Sequence, residues 1–296
     1  MTPFIDLRLD PVGGGLAASV AVNQQTDAGD YVSLDLNQLL ASIASRHVLI
    51  ATHGFNVNRA DGIACLSNWA KLLRLPQLNS AFVGLLWPGD SIWAHGLDYP
   101  DEPRIADDAA SLLAPFLNQY FGNAASLSFT SHSLGARVVL GTVAQLSRPV
   151  RRLVLMAGAV DDNCLNADFS SAVANVEILS VLSSSKDEVL SFAFPLGNFV
   201  AGILDQGHPW WHAALGHCGP AQSWPANLRA PFMVPDVWDY QHGNYLQIDS
   251  PQPPEISLPV DIPPQGSAPP LIGSDGQNIK GWQEAFSAAF ASSRFL

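Results

Sequence analysis

Three residues in well-separated stretches have the side chains needed to turn a hydroxyl into a nucleophile. Ser133 lies in "SFTSHSLGARVVL" (residues 128–140), Asp187 follows "EILSVLSSS", and His242 lies in "DYQHGNYL". A serine attacks carbonyl carbon only when an imidazole takes its proton and a carboxylate orients that imidazole. The order serine, acid, histidine therefore suggests Ser133 as nucleophile, Asp187 as acid and His242 as general base.

The stretch around Ser133 has the pattern of a strand that turns sharply into a helix. Such a nucleophile elbow presents a hydroxyl above a sheet and needs small residues two before and two after it. Gly135 fits, whereas Ser131 departs from the usual glycine by one small side chain. The alternative is a serine that caps an ordinary helix.

A second motif, "HGFNV" at residues 53–57, follows an earlier apolar run. At that position a backbone N–H of this loop could join the N–H of Leu134 in binding an oxyanion. The alternative is a glycine turn with a histidine satisfied inside the fold.

Other carboxylates compete with Asp187 for the role of the acid. Glu188 is its neighbour, and Asp161 and Asp162 end the preceding apolar run. Each of them could instead be a turn or helix-capping residue.

Short β-rich runs alternate with segments of helical spacing over most of the chain. A glycine turn at residues 13–15 between "FIDLRLD" and "LAASVAV" predicts a hairpin. The predicted buried strands lie within 46–55, 81–89, 126–133, 151–162 and 176–187, and "FMVPDVW" is a candidate last strand. The predicted helices span 62–73, 102–120 and 134–146. This alternation predicts an α/β fold with a mostly parallel, doubly wound sheet, whose functional groups gather at the carboxyl ends of the strands.

The pattern breaks between about residues 191 and 237, which are rich in aromatic residues, proline and glycine. We expect an insertion that covers the site as a lid, ahead of His242 in the chain. His132, Trp210 and Trp211 are candidate pocket residues for a small hydrophobic ester, although the aromatic residues could equally be core. Residues 250–296 are expected to form a proline-rich strap and a terminal helix, packed on the domain of residues 1–249.

The segment "HPWWHAALGHC" offers a competing metal site. It contains His208, His212, His217 and Cys218, and a continuous helix would put the first two on one face. Pro209 and Gly216 argue against such a helix, so we predict no metal.

Composition limits the class of protein. The 296 residues carry a formal net charge of −12, which disfavours nucleic acid and anionic surfaces as partners. Three scattered cysteines do not form a disulfide framework, although one bridge is possible. No apolar run is long enough to span a membrane, and "MTPFIDLRLD" lacks a signal-peptide pattern, so a cytoplasmic protein is expected.

Taken together, these motifs resemble the α/β-hydrolase superfamily, and within it the bacterial family known as a domain of unknown function. The resemblance covers roughly residues 45–245 and rests on "VLIATHGFNV", "LLWPGD", "TSHSLGARVVL", "LVLMAGAVD", "SSSKDEVL" and "HGNYL". It implies an α/β-hydrolase fold and a serine esterase or lipase that needs no cofactor. It also implies the roles given above for Ser133, Asp187, His242 and Leu134, and it implies Phe55 as the second oxyanion donor. The alternatives are a non-catalytic scaffold, an acyltransferase and a metal-assisted hydrolase.

Overall fold

A mixed β-sheet forms the centre of the molecule. The structure, a computed structural model, describes residues 1–12, 15–73, 75, 78–90, 102–191, 212–221, 223–229, 232–234, 236 and 239–245. Within these ranges nine strands form one sheet in the order β3-β2-β1-β5-β4-β6-β7-β8-β9. The strands are β1 (Thr2–Arg8), β2 (Leu16–Gln25), β3 (Tyr31–Ser33), β4 (His47–Thr52), β5 (Ser80–Leu86), β6 (Ser126–His132), β7 (Val150–Met156), β8 (Val176–Leu182) and β9 (Leu228–Arg229).

Helices follow most of the parallel strands and pack on the sheet. They are α1 (Leu36–Ile43), α2 (Arg59–Leu73), α3 (Glu102–Tyr120), α4 (Gly135–Ala144), α5 (Ser170–Ala174) and α6 (Leu215–Cys218), with 3-10 turns at Phe121–Asn123 and His242–Tyr245. Helix α2 contacts β1 and β5, whereas α4 contacts β6 and β7. None of the helices within the described ranges has both the length and the apolar character that crossing a bilayer requires.

The central strands are buried almost along their whole length. Five of the six residues of β4 and six of the seven of β6 are buried. Strand β4 reads as an apolar run, as strands covered on both faces do, whereas β6 also buries several polar residues, most of them small. The prediction of a mostly parallel, doubly wound α/β sheet is confirmed.

The first two strands form the predicted antiparallel hairpin. The other edge of β1 pairs in parallel with β5, where Phe4 lies opposite Gly84. A Cβ atom at Gly84 would lie 2.4 Å from the ring of Phe4, so only glycine fits there. The hairpin is therefore built into the sheet, next to the strands that carry the site.

The last strand differs from the expectation. Strand β9 lies at Leu228–Arg229, and in the described residues of the predicted strand "FMVPDVW" Met233 forms a bridge to Ser183. Pro231 and Pro235 flank this bridge in the sequence, and proline has no N–H to donate to a ladder. Neither proline can therefore donate a main-chain hydrogen bond to a neighbouring strand.

The predicted lid is described only in its second half. Residues 192–211 and 246–296 lie outside the described residues, and with them the strap and the terminal helix. Ala214 and Leu215 are buried in the core, and a Cβ atom at Gly216 would lie 2.1 Å from the carbonyl carbon of Ala157. The stretch from Ala214 to Gly216 therefore packs in the core, close to the end of β7. All three cysteines, Cys65, Cys164 and Cys218, are free thiols.

Candidate active site

Ser133 lies in a sharp turn between β6 and α4. Its φ angle is +52°, a left-handed conformation that is costly for a residue with a side chain. The turn is held by main-chain bonds: the amide of Ser133 donates to the carbonyl of Met156 (3.0 Å), and the amide of Ala159 donates to the carbonyl of Ser133 (3.1 Å). The strained backbone thus fixes the hydroxyl at the carboxyl edge of the sheet.

The turn is packed too closely for larger residues. A Cβ atom at Gly135 would lie 2.3 Å from the carbonyl oxygen of His53, and one at Gly54 would lie 2.6 Å from the Cβ atom of Ser133. Ser131, the predicted departure from glycine, is fully buried, and its hydroxyl has no hydrogen-bond partner. The elbow therefore lies directly against the loop that follows β4.

The structure brings Ser133, His242 and Asp187 together. The Nε2 atom of His242 lies 2.9 Å from the Oγ atom of Ser133, and its Nδ1 atom lies 2.7 Å from the Oδ2 atom of Asp187. A carboxylate accepts a hydrogen bond, so the ring carries its proton on Nδ1 and turns the Nε2 lone pair toward the hydroxyl. This is the arrangement in which an imidazole can accept the serine proton.

Asp187 is positioned by the loop after β8. It is fully buried, and its Oδ1 atom accepts the amide of Leu190 (3.0 Å), as an N-cap residue does at the start of a helical turn. Its amide donates to the carbonyl of Ser184, whose hydroxyl donates to the carbonyl of Tyr240 (2.7 Å). The acid is therefore fixed to the segment that leads to the base. Glu188, its competitor, is exposed.

His242 begins a 3-10 turn that is fixed by His132. The Nε2 atom of His132 lies 2.8 Å from the carbonyl oxygen of His242, and the two ring centroids are 4.7 Å apart. Burial, and after it the charge of His242, lower the pKa of His132 to about 3. His132 is therefore neutral and donates its Nε2 proton to that carbonyl. The structure places this predicted pocket residue behind the base; its contact with a substrate stays a prediction.

One candidate oxyanion donor, Leu134, directly follows Ser133, and the other, Phe55, directly follows Gly54. Leu134 precedes Gly135 at the N-terminus of α4, where amides have no partner within the helix. Phe55 lies between Gly54, which touches Ser133, and Asn56, whose φ angle is +57°. The amide of Asn56 donates to the carbonyl of Gly89 (2.6 Å), so this part of the loop has a defined path.

His53 is a structural part of the same loop. Burial lowers its pKa to about 4, and its ring stacks on Trp87 at 5.9 Å between centroids. Its Nδ1 atom lies 2.9 Å from the carbonyl oxygen of Gly54, and the indole N–H of Trp87 donates to the carbonyl of His53 (3.0 Å). The neutral ring thus fastens the loop after β4 to the end of β5. These contacts match the alternative considered for the "HGFNV" motif, in which the histidine makes its hydrogen bonds inside the fold.

His212, His217 and Cys218 of the rival metal site lie among the described residues. The Nδ1 atom of His212 lies 3.0 Å from the Oδ1 atom of Asp162, and its Nε2 atom lies 3.0 Å from the side-chain Nδ2 atom of Asn163. His217 and Cys218 lie in α6. Across the described part of the chain, no group of three or more His, Cys, Asp or Glu side chains could hold a metal ion. His208, Trp210 and Trp211 lie outside the described residues.

Sequence reasoning missed two buried charges beside the loop after β4. Arg8 and Asp90 form an ion pair there, and both are almost completely buried. A signal was present in the first strand, "FIDLRLD", because a charged residue within an apolar strand needs a partner inside the protein.

Comparison with known proteins identifies the fold family. The model of a family described as alpha/beta hydrolase of unknown function (DUF900) matches residues 30–201, more than half of the chain. No curated protein matches. Among solved structures, esterase PE8 is 18% identical, with 53% of this chain and 80% of that chain covered at a TM-score of 0.35. A predicted CIB-like hydrolase from Thermoplasma acidophilum is 15% identical, with 77% and 84% covered at a TM-score of 0.39.

Proposed function

This chain belongs to the alpha/beta hydrolase family DUF900, and we propose that it is a serine hydrolase that cleaves carboxylic esters. The observation that carries the proposal is the hydrogen-bonded series from Ser133 through His242 to Asp187, with distances of 2.9 and 2.7 Å. A hydroxyl on a strained turn, aligned with an imidazole that a buried carboxylate orients, has the geometry of nucleophilic catalysis.

The proposed reaction has two halves. In the first, Ser133 Oγ attacks the ester carbonyl while His242 Nε2 takes the hydroxyl proton, and the carbonyl oxygen becomes an oxyanion. The N–H groups of Phe55 and Leu134 hold that oxyanion. The C–O bond to the alcohol then breaks, and His242 returns the proton to the leaving alcohol.

In the second half, water replaces the alcohol. His242 Nε2 takes a proton from water as the water oxygen attacks the acyl carbon, and the carbonyl oxygen again becomes an oxyanion. The bond from the acyl carbon to Ser133 Oγ then breaks, His242 returns the proton to Oγ, and the carboxylic acid is released. Asp187 keeps the ring in one tautomer and stabilises its charged form throughout. The mechanism uses no cofactor or metal.

The proposed substrate is a small hydrophobic ester. The aromatic composition of residues 191–237 supports this choice, because binding sites are mostly apolar with a few polar groups. In the described part of this stretch, Trp224 packs edge-on against Phe232 with ring centroids 4.9 Å apart.

The test is covalent labelling with a fluorophosphonate probe, followed by assays on a panel of p-nitrophenyl esters. Ser133→Ala should abolish labelling and turnover, and His242→Ala should slow both by several orders of magnitude. Ser131→Ala is the matched control, since it removes a buried hydroxyl two residues away that faces no partner. Labelling that persists in Ser133→Ala would move the nucleophile elsewhere, and an unlabelled parent protein would indicate a non-catalytic scaffold.

The substrate class is tested on the same panel. Longer and aromatic acyl groups should be turned over with a higher kcat/KM than charged acyl groups of similar size. Equal or better turnover of the charged esters would contradict the hydrophobic preference.

A further inference from the structure

The guanidinium of Arg8 lies in the corner where the loops after β4 and β5 meet. Its side chain is fully buried, and its Nη1 atom donates to the carbonyls of Val57 (3.1 Å) and Trp87 (3.0 Å). Its Nη2 atom pairs with the carboxylate of Asp90, and its Nε atom donates to the carbonyl of Asp10 (3.3 Å). One side chain therefore ties together the hairpin, the loop after β4 and the loop after β5.

A second arginine braces the same corner. Arg59 forms an ion pair with Asp6 (2.9 Å), and its Nη2 atom donates to the carbonyl of Arg8 (3.2 Å). Its amide donates to the carbonyl of Pro11 (3.0 Å), and the hydroxyl of Tyr31 donates to Asp6 (3.0 Å). The buried charges thus have partners of opposite sign, as buried ions require.

The loop held in this way is the one that reaches Ser133. Val57, whose carbonyl Arg8 binds, lies two residues after Phe55, the proposed oxyanion donor. At the near end of the loop, Gly54 lies against Ser133; in the middle, Asn56 is bonded to Gly89, which directly precedes Asp90. Arg8 therefore fixes both segments that determine where the amide of Phe55 lies.

We infer that Arg8 is a positioning residue for the oxyanion hole, an inference that rests on the proposed function. Oxyanion donors accelerate a reaction only when they are in place before charge develops, so a rigid support contributes to the rate. Arginine suits this role because its planar guanidinium presents several N–H donors in fixed directions. The single nitrogen of a lysine side chain cannot reach carbonyls in all of these directions at once. Arg8 lies outside residues 30–201, the part matched by the family model.

The experiment compares Arg8→Met and Arg8→Lys with the matched control Arg148→Met. Arg148 also donates to several carbonyls, including those of Phe121 and Ala124, but it precedes β7, at the edge of the sheet opposite the site. We expect kcat to fall about 10²-fold in Arg8→Met and about tenfold in Arg8→Lys, with KM nearly unchanged, because a small misplacement of the donor affects the transition state more than binding. Arg148→Met should keep the parent kcat.

Fluorophosphonate labelling separates this inference from the proposed function. The Arg8 variants should still reach one probe per chain at Ser133, but more slowly, because the phosphoryl oxygen uses the same donors as fluoride leaves. A parent protein that is not labelled would refute the proposed function.

A labelled parent together with Arg8 variants that retain kcat, or that lose no more than Arg148→Met, would refute the role of Arg8 alone. A rise in KM with unchanged kcat would also refute it. Arg8→Lys keeps a cation beside Asp90, so it decides the question if Arg8→Met does not fold.

Discussion

Gly135 is the residue at which the elbow has no room for a side chain. In Gly135→Ala the added methyl group would lie 2.3 Å from the carbonyl oxygen of His53, so α4 or the loop after β4 must move. We expect the free energy of unfolding to fall by about 2 kcal/mol and kcat to fall with it, because the moving parts carry Leu134 and Phe55. Urea unfolding and ester assays measure the two effects.

The control for this change is Gly122→Ala. A Cβ atom at Gly122 meets no other heavy atom within 4 Å, so stability and kcat should stay those of the parent. Equal behaviour of the two alanine variants would show that the packing at Gly135 is unimportant.

Ser131 leaves a hydroxyl buried without a hydrogen-bond partner beside the nucleophile. In Ser131→Ala the hydroxyl is replaced by hydrogen, and the free energy of unfolding should rise by about 1 kcal/mol. The reason is that the hydroxyl loses its hydrogen bonds to water on folding and gains none in the protein. We therefore expect Ser131→Ala to be more stable than the parent in urea unfolding and to keep its kcat. A loss of stability would indicate that the hydroxyl has a partner in solution.

The helical turn after β8 gives Asp187 two separate tasks. Its Oδ1 atom caps the turn through Leu190, while its Oδ2 atom bonds to His242. In Asp187→Asn one oxygen remains to cap the turn, so the free energy of unfolding should change by less than about 1 kcal/mol. The charge that stabilises the imidazolium is lost, and kcat should fall about 10⁴-fold.

Asp187→Ala is the comparison that separates the two tasks. It removes the cap as well as the charge, so it should lose both stability and activity in denaturant melts and ester assays. The proposal that Asp187 is the acid fails if Asp187→Asn keeps the parent kcat.

At the level of elements, the sequence predicts what depends on local pattern. The strands β4, β6 and β7 overlap the predicted β-rich runs, and α3 begins and ends where its helical spacing predicts. Strand β9 and the parallel pairing of β1 with β5 were not predictable, because they depend on partners far along the chain. In the described residues of the predicted strand "FMVPDVW", Met233 forms a bridge to Ser183, and the full extent of this strand stays a prediction.

In the candidate site, too, the features set by local sequence pattern were predictable, and those set by distant partners were not. Ser133, Asp187 and His242 could be proposed from strand ends and chain order, because parallel strands gather their carboxyl ends at one edge. The sequence shows a charged residue within the apolar first strand, but its link to the site could not be predicted, because only the folded structure shows that β1 lies beside β5 and brings Arg8 behind the loop after β4. The role of His132 was likewise invisible, since its partner is a main-chain carbonyl 110 positions away.

The stability of the whole molecule should depend on pH through two buried histidines. The pKa values of His53 and His132 fall from the ordinary 6.5 to about 4 and about 3, mainly because burial disfavours their charged forms. Below pH 6.5 the unfolded chain binds protons that the folded chain does not. Stability should therefore be independent of these residues above pH 6.5 and be lost as the pH falls toward 4 and then 3.

Each histidine should remove up to roughly 1 kcal/mol per pH unit within its window. Urea unfolding between pH 7.5 and 4.5 measures the slope, and His132→Asn should make it shallower, because one of the two titrating groups is gone. A stability that does not change between pH 6.5 and 4.5 would contradict the burial of both rings in solution.

The position of β4 in the sheet has a consequence for biosynthesis. This strand pairs with β5 on one side and β6 on the other, and both partners come later in the chain. Once the ribosome has added residue 52, this apolar strand has two open edges until β5 emerges and one open edge until Ser126–His132 has emerged. Nascent chains arrested within that interval should be the ones that aggregate or recruit chaperones, and those arrested after α4 should not.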